Sequence, residues 1–237
     1  MNDVRPIALP SSLWPQNSLL ARLTEPDRQE LLGTGTRAVF PGQHVLIRQG
    51  APEDYTVLLT KGLTKVVVDT ENGYSALLAV RVGGDLVGEM ASLERKPRSA
   101  TVISCVKTSA QLIPADLFAT FLQEHPLVHH EVSRMLSERL RFADNQRVAF
   151  AALPAMARVA RILVEIGQTY GYCTDGDQWE LGLSLSRPEL ASFAAVSLSS
   201  AEKSLHELRD LSLIGQRERK LVIIDMPGLR RWAAGLQ

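Results

Sequence analysis

Gly83-Gly84-Asp85-Leu86-Val87-Gly88-Glu89-Met90-Ala91, followed downstream by Arg98-Ser99-Ala100, is the most specific stretch of the chain. Its glycines free backbone amides to approach an anion. Glu89 can accept from a sugar hydroxyl. Arg98 can grip a phosphate through two N–H groups, and the Ser99 hydroxyl adds a donor. The same residues would also make a tight turn closed by a Glu89–Arg98 ion pair, and the stretch alone does not separate the two readings.

The sequence around it is strand-like. Short runs rich in Val, Leu and Thr occupy 37–40, 44–48, 55–61, 63–68, 74–81, 99–106 and 109–114. Pro41-Gly42, Lys61-Gly62 and Asn72-Gly73 punctuate them, and Asn-Gly favours a two-residue hairpin turn because both residues tolerate positive φ. Many short strands with regular turns predict an antiparallel sandwich or barrel. Cys105 reads as a buried strand residue. Residues 13–32 read as a short helical lead-in.

Beyond the strands the texture turns helical. Residues 116–123 predict a short helix ended near Pro126, and 127–150 run without Gly or Pro. Val132, Leu136, Leu140, Ala143, Arg147 and Phe150 recur in steps of three and four, which makes a narrow seam. Such a seam serves a partner chain or, in the plainer alternative, packs on the strands. Leu153-Pro154-Ala155 breaks the helix, and 155–170 predict a new amphipathic one with Val159, Ile162, Leu163 and Ile166 on one side. A strand candidate follows at 179–183.

Ser186-Arg187-Pro188-Glu189 has the spacing of a capping box, so a short helix is expected over 187–194. A tight connection at Ala195-Val196-Ser197 leads to a second helix running to Asp210. Ser199-Ser200-Ala201-Glu202 is also a capping box, which would start that helix later. Gln216-Arg217-Glu218-Arg219-Lys220 then precedes the apolar strand 221–224. Helix, turn, helix and a hairpin with a basic tip is the layout of a winged helix-turn-helix. From Ser186 onward, basic residues exceed acidic ones by two, and the excess gathers at the hairpin tip, where phosphate contacts are made.

Composition narrows the class. The 237 residues carry 26 basic and 26 acidic side chains, which argues against a surface that binds nucleic acid everywhere and leaves room for a local basic face. No apolar run is long enough to span a bilayer, and the first thirteen residues do not read as a signal peptide, so the cytoplasm is the expected compartment and no membrane partner is expected. Two isolated cysteines cannot hold an iron–sulfur cluster or structural zinc, the histidines suggest no shared metal, and no metal is expected. No Ser/His/Asp constellation or triphosphate loop is present, so an enzyme is not expected.

The glycine-rich stretch closely resembles the phosphate-binding cassette of the cyclic-AMP receptor protein (CRP/FNR) family of transcription regulators. The resemblance extends upstream through Phe40-Pro41-Gly42, Ile47, Gly50 and Leu59 to Gly62. Downstream it runs through the long helix, Arg158-Val159-Ala160 and the winged helix, and so covers nearly the whole chain. It implies an α+β fold: an N-terminal antiparallel β-roll over 1–126, a central dimerisation helix over 127–152, and a winged helix-turn-helix over 153–237. It also implies a homodimer, a cyclic nucleotide as effector, a two-fold site on double-stranded DNA, and RNA polymerase as a partner.

In the cassette, Glu89 looks like the acceptor from the ribose hydroxyl. Arg98 and Ser99 look like phosphate ligands, helped by amides near Gly88, Met90 and Ala91. Arg139 falls where the family often has a further arginine near the pocket. Family members that bind cyclic AMP tightly carry hydroxyl or amide side chains at positions that fall here on Ala143 and Asp144. Asp144 can accept from the single adenine amine, or from adjacent donors on guanine, or can pair with Arg139, Arg141 or Arg147 and meet no base. The base half leaves the nucleotide open: cyclic AMP is the first expectation, the alternatives are a different effector such as cyclic GMP or no cyclic-nucleotide dependence, and a further alternative is a nucleotide-binding regulatory subunit that acts on a protein partner.

The recognition helix departs from the family pattern. Where the family commonly shows Ser-Arg-Glu-Thr, this chain has Ser197-Leu198-Ser199-Ser200, with Lys203 one turn later and Ala195 in place of the turn glycine. Ser199, Lys203 and His206 are the candidates for base edges. Arg187, Ser200, Arg209 and Arg217 suit backbone contacts.

Overall fold

The computed structural model describes residues 14–52, 54–173, 178–181, 185–217 and 220–235. Contacts divide the chain into two units, Met1–Arg141 and Phe142–Gln237. The division falls inside the long helix, whose two halves therefore belong to different units. The sequence reading had set that helix apart as a segment of its own.

The first unit opens with two short helices, α1 (Leu19–Arg22) and α2 (Glu25–Gly33), where a single lead-in was expected. Thr24 separates them because its side chain caps α2, accepting from the Asp27 N–H. The strands follow: β1 (Thr36–Phe40), β2 (Val45–Ile47), β3 (Tyr55–Lys61), β4 (Leu63–Asp69), β5 (Ser75–Val82) and β6 (Leu86–Val87). Then come the short helix α3 (Glu89–Glu94), β7 (Thr101–Ser104), β8 (Thr108–Pro114) and helix α4 (Ala115–Glu124).

These strands form two antiparallel sheets ordered β1-β8-β3-β6 and β2-β7-β4-β5. Asn72-Gly73 does not make a two-residue hairpin. The connection from β4 to β5 runs over 70–74, with Gly73 at φ 80° and the Thr70 N–H bonded to the Tyr74 carbonyl at 2.9 Å. Cys105 lies just past β7 and is half-buried, not a buried strand residue.

Strand alternation fixes the cassette from both sides. On β3, Val57 and Leu59 point between the sheets with Leu46, Ile47 and Val102, while Leu58 points to a second core with Leu19, Phe118 and Val132. The two residues of β6 divide the same way: Val87 joins the first core and Leu86 the second. The chain entering the cassette is thus held on both faces.

The long helix α5 (Pro126–Ala152) places Val128, Val132 and Met135 in the second core, with Leu136 packed against it. The first part of the expected seam is therefore core packing. Leu140, Val148 and Phe150 stay 62–65 % exposed.

The second unit holds the end of α5, then α6 (Ala155–Tyr170), β9 (Gly171–Cys173), β10 (Trp179–Leu181), α7 (Arg187–Phe193), α8 (Leu198–Asp210), β11 (Ile214–Arg217), β12 (Lys220–Ile223) and α9 (Met226–Ala233). α6 buries Val159, Ile162, Leu163 and Ile166, the face read from its periodicity. The strands form one antiparallel sheet ordered β11-β12-β10-β9. α9, not foreseen from the sequence, is capped by Asp225, which accepts from the Gly228 N–H at 2.9 Å. Helix, turn, helix and antiparallel hairpin make the winged helix-turn-helix. The middle of the hairpin tip, Glu218 and Arg219, lies outside the described residues.

Candidate functional site

The cassette is built around Gly88. It sits at φ 77° directly before α3, and a Cβ there would stand 2.7 Å from Ile47 Cδ1 and 2.8 Å from Arg98 Nη1. Only glycine combines that torsion with that closeness. The reversal turns Glu89 inward, to 4 % exposure, and leaves Met90 on the surface with Ala91 buried behind it.

Glu89 does not pair with Arg98. Its Oε1 accepts from Arg139 Nη1 at 2.7 Å, and Arg139 Nη2 donates to the Leu86 carbonyl at 2.8 Å. One arginine of α5 therefore holds both the carboxylate and the backbone of β6. The sequence places Arg139 near the pocket and offers Asp144 as one partner for it, but the structure pairs it with Glu89.

Arg98 is 3 % exposed. Its Nη1 donates to the Gly88 carbonyl at 2.8 Å, its Nη2 donates to the Tyr55 carbonyl, and its Cζ lies 4.7 Å from the centroid of the Tyr55 ring. The backbone is clamped as well: Arg98 N–H bonds the Ala51 carbonyl at 3.0 Å, and Gly50 N–H bonds the Arg98 carbonyl at 2.8 Å. An arriving anion must compete with two carbonyls for this guanidinium. Ser99, next along, is exposed.

Two participants were missed in the sequence. Tyr55, the first residue of β3, had no signal beyond its aromatic ring. Asp85 was visible inside the cassette but received no role. Its carboxylate accepts from the Val82 N–H at 3.1 Å. Burial pushes its pKa up, while Arg139 and Arg81 pull it back and the Glu89 charge adds to the rise. Arg139 thus faces two carboxylates. Ala143 and Asp144 lie beyond the unit boundary and are exposed.

The nucleic-acid candidates sit in the second unit. The Ser186–Glu189 capping box is present, with the Ser186 N–H donating to Glu189 Oε2 at 2.8 Å. α8 does not begin late. Its cap is Ser197, whose side chain accepts from the Ser200 N–H at 3.1 Å, so the second capping-box reading is corrected. Ala201, Ser204, Leu205 and Leu208 are buried. Ser199, Lys203 and His206 consequently share the outward face, with Ser200 and Arg209 half-buried beside it. Arg187 and Arg217 are exposed. Lys220, counted toward the basic tip, is paired with Glu180.

Residues 37–125 match the cyclic nucleotide-binding domain, and residues 157–232 match the Crp-like helix-turn-helix domain. The chain belongs to the CRP/FNR family of transcription regulators. Among its CRP/FNR relatives, a CRP-like cAMP-activated global transcriptional regulator of Mycobacterium tuberculosis is 23 % identical over 194 residues, covering 82 % of this chain and 86 % of the relative. The cyclic AMP receptor protein of Thermus thermophilus is 25 % identical over 179 residues, covering 75 % and 79 %. The c-di-GMP responsive global regulator CLP of Xanthomonas campestris superposes with a TM-score of 0.72 at 20 % identity, over 84 % of this chain and 99 % of that one, and shares the fold. Like the family, the chain is a DNA-binding regulator with a cyclic nucleotide-binding domain. Among the described residues, no helix is long and apolar enough to cross a membrane.

Proposed function

We propose that this CRP/FNR regulator works as a homodimer whose grip on a two-fold site in double-stranded DNA is set by a cyclic nucleotide held against Glu89, Arg98 and Ser99. Cyclic AMP is the first choice and cyclic GMP the second. The observation that carries the reading is the Glu89–Arg139 ion pair: the carboxylate suited to a ribose hydroxyl is already bonded to α5. A nucleotide that claims Glu89 disturbs the helix directly, and it shifts the protein between states only by binding one of them better.

Leu140 and Val148 of α5 are exposed apolar residues, as a helix that meets a second copy of itself would leave them. A dimer would place two α8 helices in successive major grooves, about 34 Å apart. RNA polymerase is the expected protein partner, and the cytoplasm the place of action.

Titration calorimetry with cyclic AMP and cyclic GMP tests the effector, and sedimentation tests the dimer. Selection of duplexes from a random pool, with and without each nucleotide, tests the coupling. Absence of heat with both nucleotides, at protein concentrations that register micromolar binding, would remove the effector from this reading. The burial of Arg98 against two carbonyls favours a separate reading, in which DNA binding answers to no cyclic nucleotide.

A further inference from the structure

Arg158 belongs to the second unit and to no site described above. It lies in the first turn of α6, where its N–H bonds the Pro154 carbonyl at 3.2 Å. Its side chain reaches two other elements. Nη1 donates to the Ala195 carbonyl at 2.6 Å, and Cζ stands 5.1 Å from the centroid of the Phe150 ring on the last turn of α5. Its Nε is buried and, among the described residues, has no hydrogen-bond partner. A buried donor left unmatched is costly, and the carbonyl and ring contacts of the guanidinium offset that cost.

The carbonyl it holds is a consequential one. Ala195 lies in the turn between α7 and α8 at φ 52°, a conformation that disfavours a residue with a Cβ. Around it, the Ala195 N–H bonds the Ser192 carbonyl at 3.0 Å and the Val196 N–H bonds the Ala191 carbonyl at 2.9 Å. The next residue, Ser197, caps α8. The bond from Arg158 therefore lands just ahead of the start of the helix that carries Ser199, Lys203 and His206. Phe142 of α5 also meets Phe193 at the end of α7, with ring centroids 6.3 Å apart.

We propose that Arg158 is a positioning residue for DNA recognition, its guanidinium tying the α7–α8 turn to the last turn of α5 so that the tilt of α8 follows the end of that helix. At 1.5 Å per residue, a tilt of about 10° pivoting near Ala195 displaces His206 by roughly 3 Å, enough to break a base-edge hydrogen bond. Lysine keeps the charge but lacks the planar fork that serves a carbonyl and a ring together. This role holds whether or not a cyclic nucleotide is the effector.

The test uses the full chain, a duplex selected by the parental protein from a random pool, and an unrelated duplex of equal length. Affinities for both are measured across a range of salt for Arg158→Lys, Phe150→Leu and the double variant, with thermal melting alongside. Arg158→Lys is expected to lose about tenfold or more in the ratio of selected to unrelated binding, with the salt slope unchanged. Phe150→Leu is expected to lose less in the same direction, and the double variant no more than Arg158→Lys alone, as two parts of one contact behave. An unchanged ratio in Arg158→Lys overturns the proposal. So does a parallel loss on both duplexes with a shallower salt slope, which would make Arg158 a phosphate contact. If Arg158→Lys melts below the assay temperature, Phe150→Leu decides, and a parental ratio there overturns the proposal.

Discussion

Glu89 and Arg139, fifty residues apart in the chain, meet at 2.7 Å with the Glu89 side chain 5 % exposed. A carboxylate so far from water needs its partner. Arg139→Ala strands it and is expected to cost about 3 kcal/mol, while adding Glu89→Gln recovers part of the loss because the stranded charge is gone. Urea unfolding of the two single variants and the double variant measures this. Simple additivity would mean that the pair is not coupled.

Arg98 serves the fold as well as any ligand. Arg98→Leu removes donors from the Gly88 and Tyr55 carbonyls and is expected to cost about 2–4 kcal/mol. Loss of effector response in that variant would therefore be ambiguous. Arg98→Lys keeps the charge and one donor nitrogen at smaller cost, and it is expected to melt near the parental temperature while losing nucleotide heat in calorimetry. Full nucleotide binding by Arg98→Lys would show that the guanidinium does not touch the anion.

Asp85 makes stability depend on pH. Burial raises its folded-state pKa, so its neutral form favours the folded chain. Its contribution is present below the ordinary carboxylate range and is lost as pH rises through the raised value. Asp85→Asn keeps an acceptor for the Val82 N–H and carries no charge. Its stability relative to the parent is expected to improve with rising pH across that window and to level off at either end. Denaturant midpoints at a series of pH values check this, and a flat difference would place the charge in an unperturbed setting.

Ala195→Gly removes the steric cost of φ 52° and adds chain entropy to the unfolded state. The balance is expected to stabilise the second unit by about 0.5–1 kcal/mol, read as a higher melting temperature. A lower melting temperature would show that the turn relaxes without its Cβ.

On α8, Ser199→Ala and Lys203→Ala are expected to relax the selected DNA sequence at one position each, by about 1–3 kcal/mol of discrimination. Arg217→Ala is expected to weaken all duplexes alike and to lower the salt slope by about one. The opposite pattern for either group would exchange base-reading and backbone roles.

The parts legible beforehand were those written in neighbouring residues. The Ser186–Glu189 box formed as read, β3 runs over Tyr55–Lys61 as its Val and Leu pattern indicates, and α6 buries the face its spacing announced. The start of α8 was less clear, because Ser197 and Ser199 both offer a cap and only the packed turn at Ala195 selects between them. The seam of α5 mixed two uses: Val132 faces the core while Leu140 faces outward, and a spacing of four looks alike in both. Arg158 stood in plain view but showed nothing of Ala195 or Phe150.

Torsions, caps and strand alternation depend on atoms a few bonds apart, so the order of residues alone settled the β-roll, the long helix and the winged helix. Which arginine answers Glu89 was decided by folding. Arg98 is near in sequence, yet the turn at Gly88 aims Glu89 at α5, where Arg139 waits and Arg98 is taken by backbone carbonyls. Electrostatic pairing follows distance through space and the loss of water around the charges, and neither is recorded along the chain.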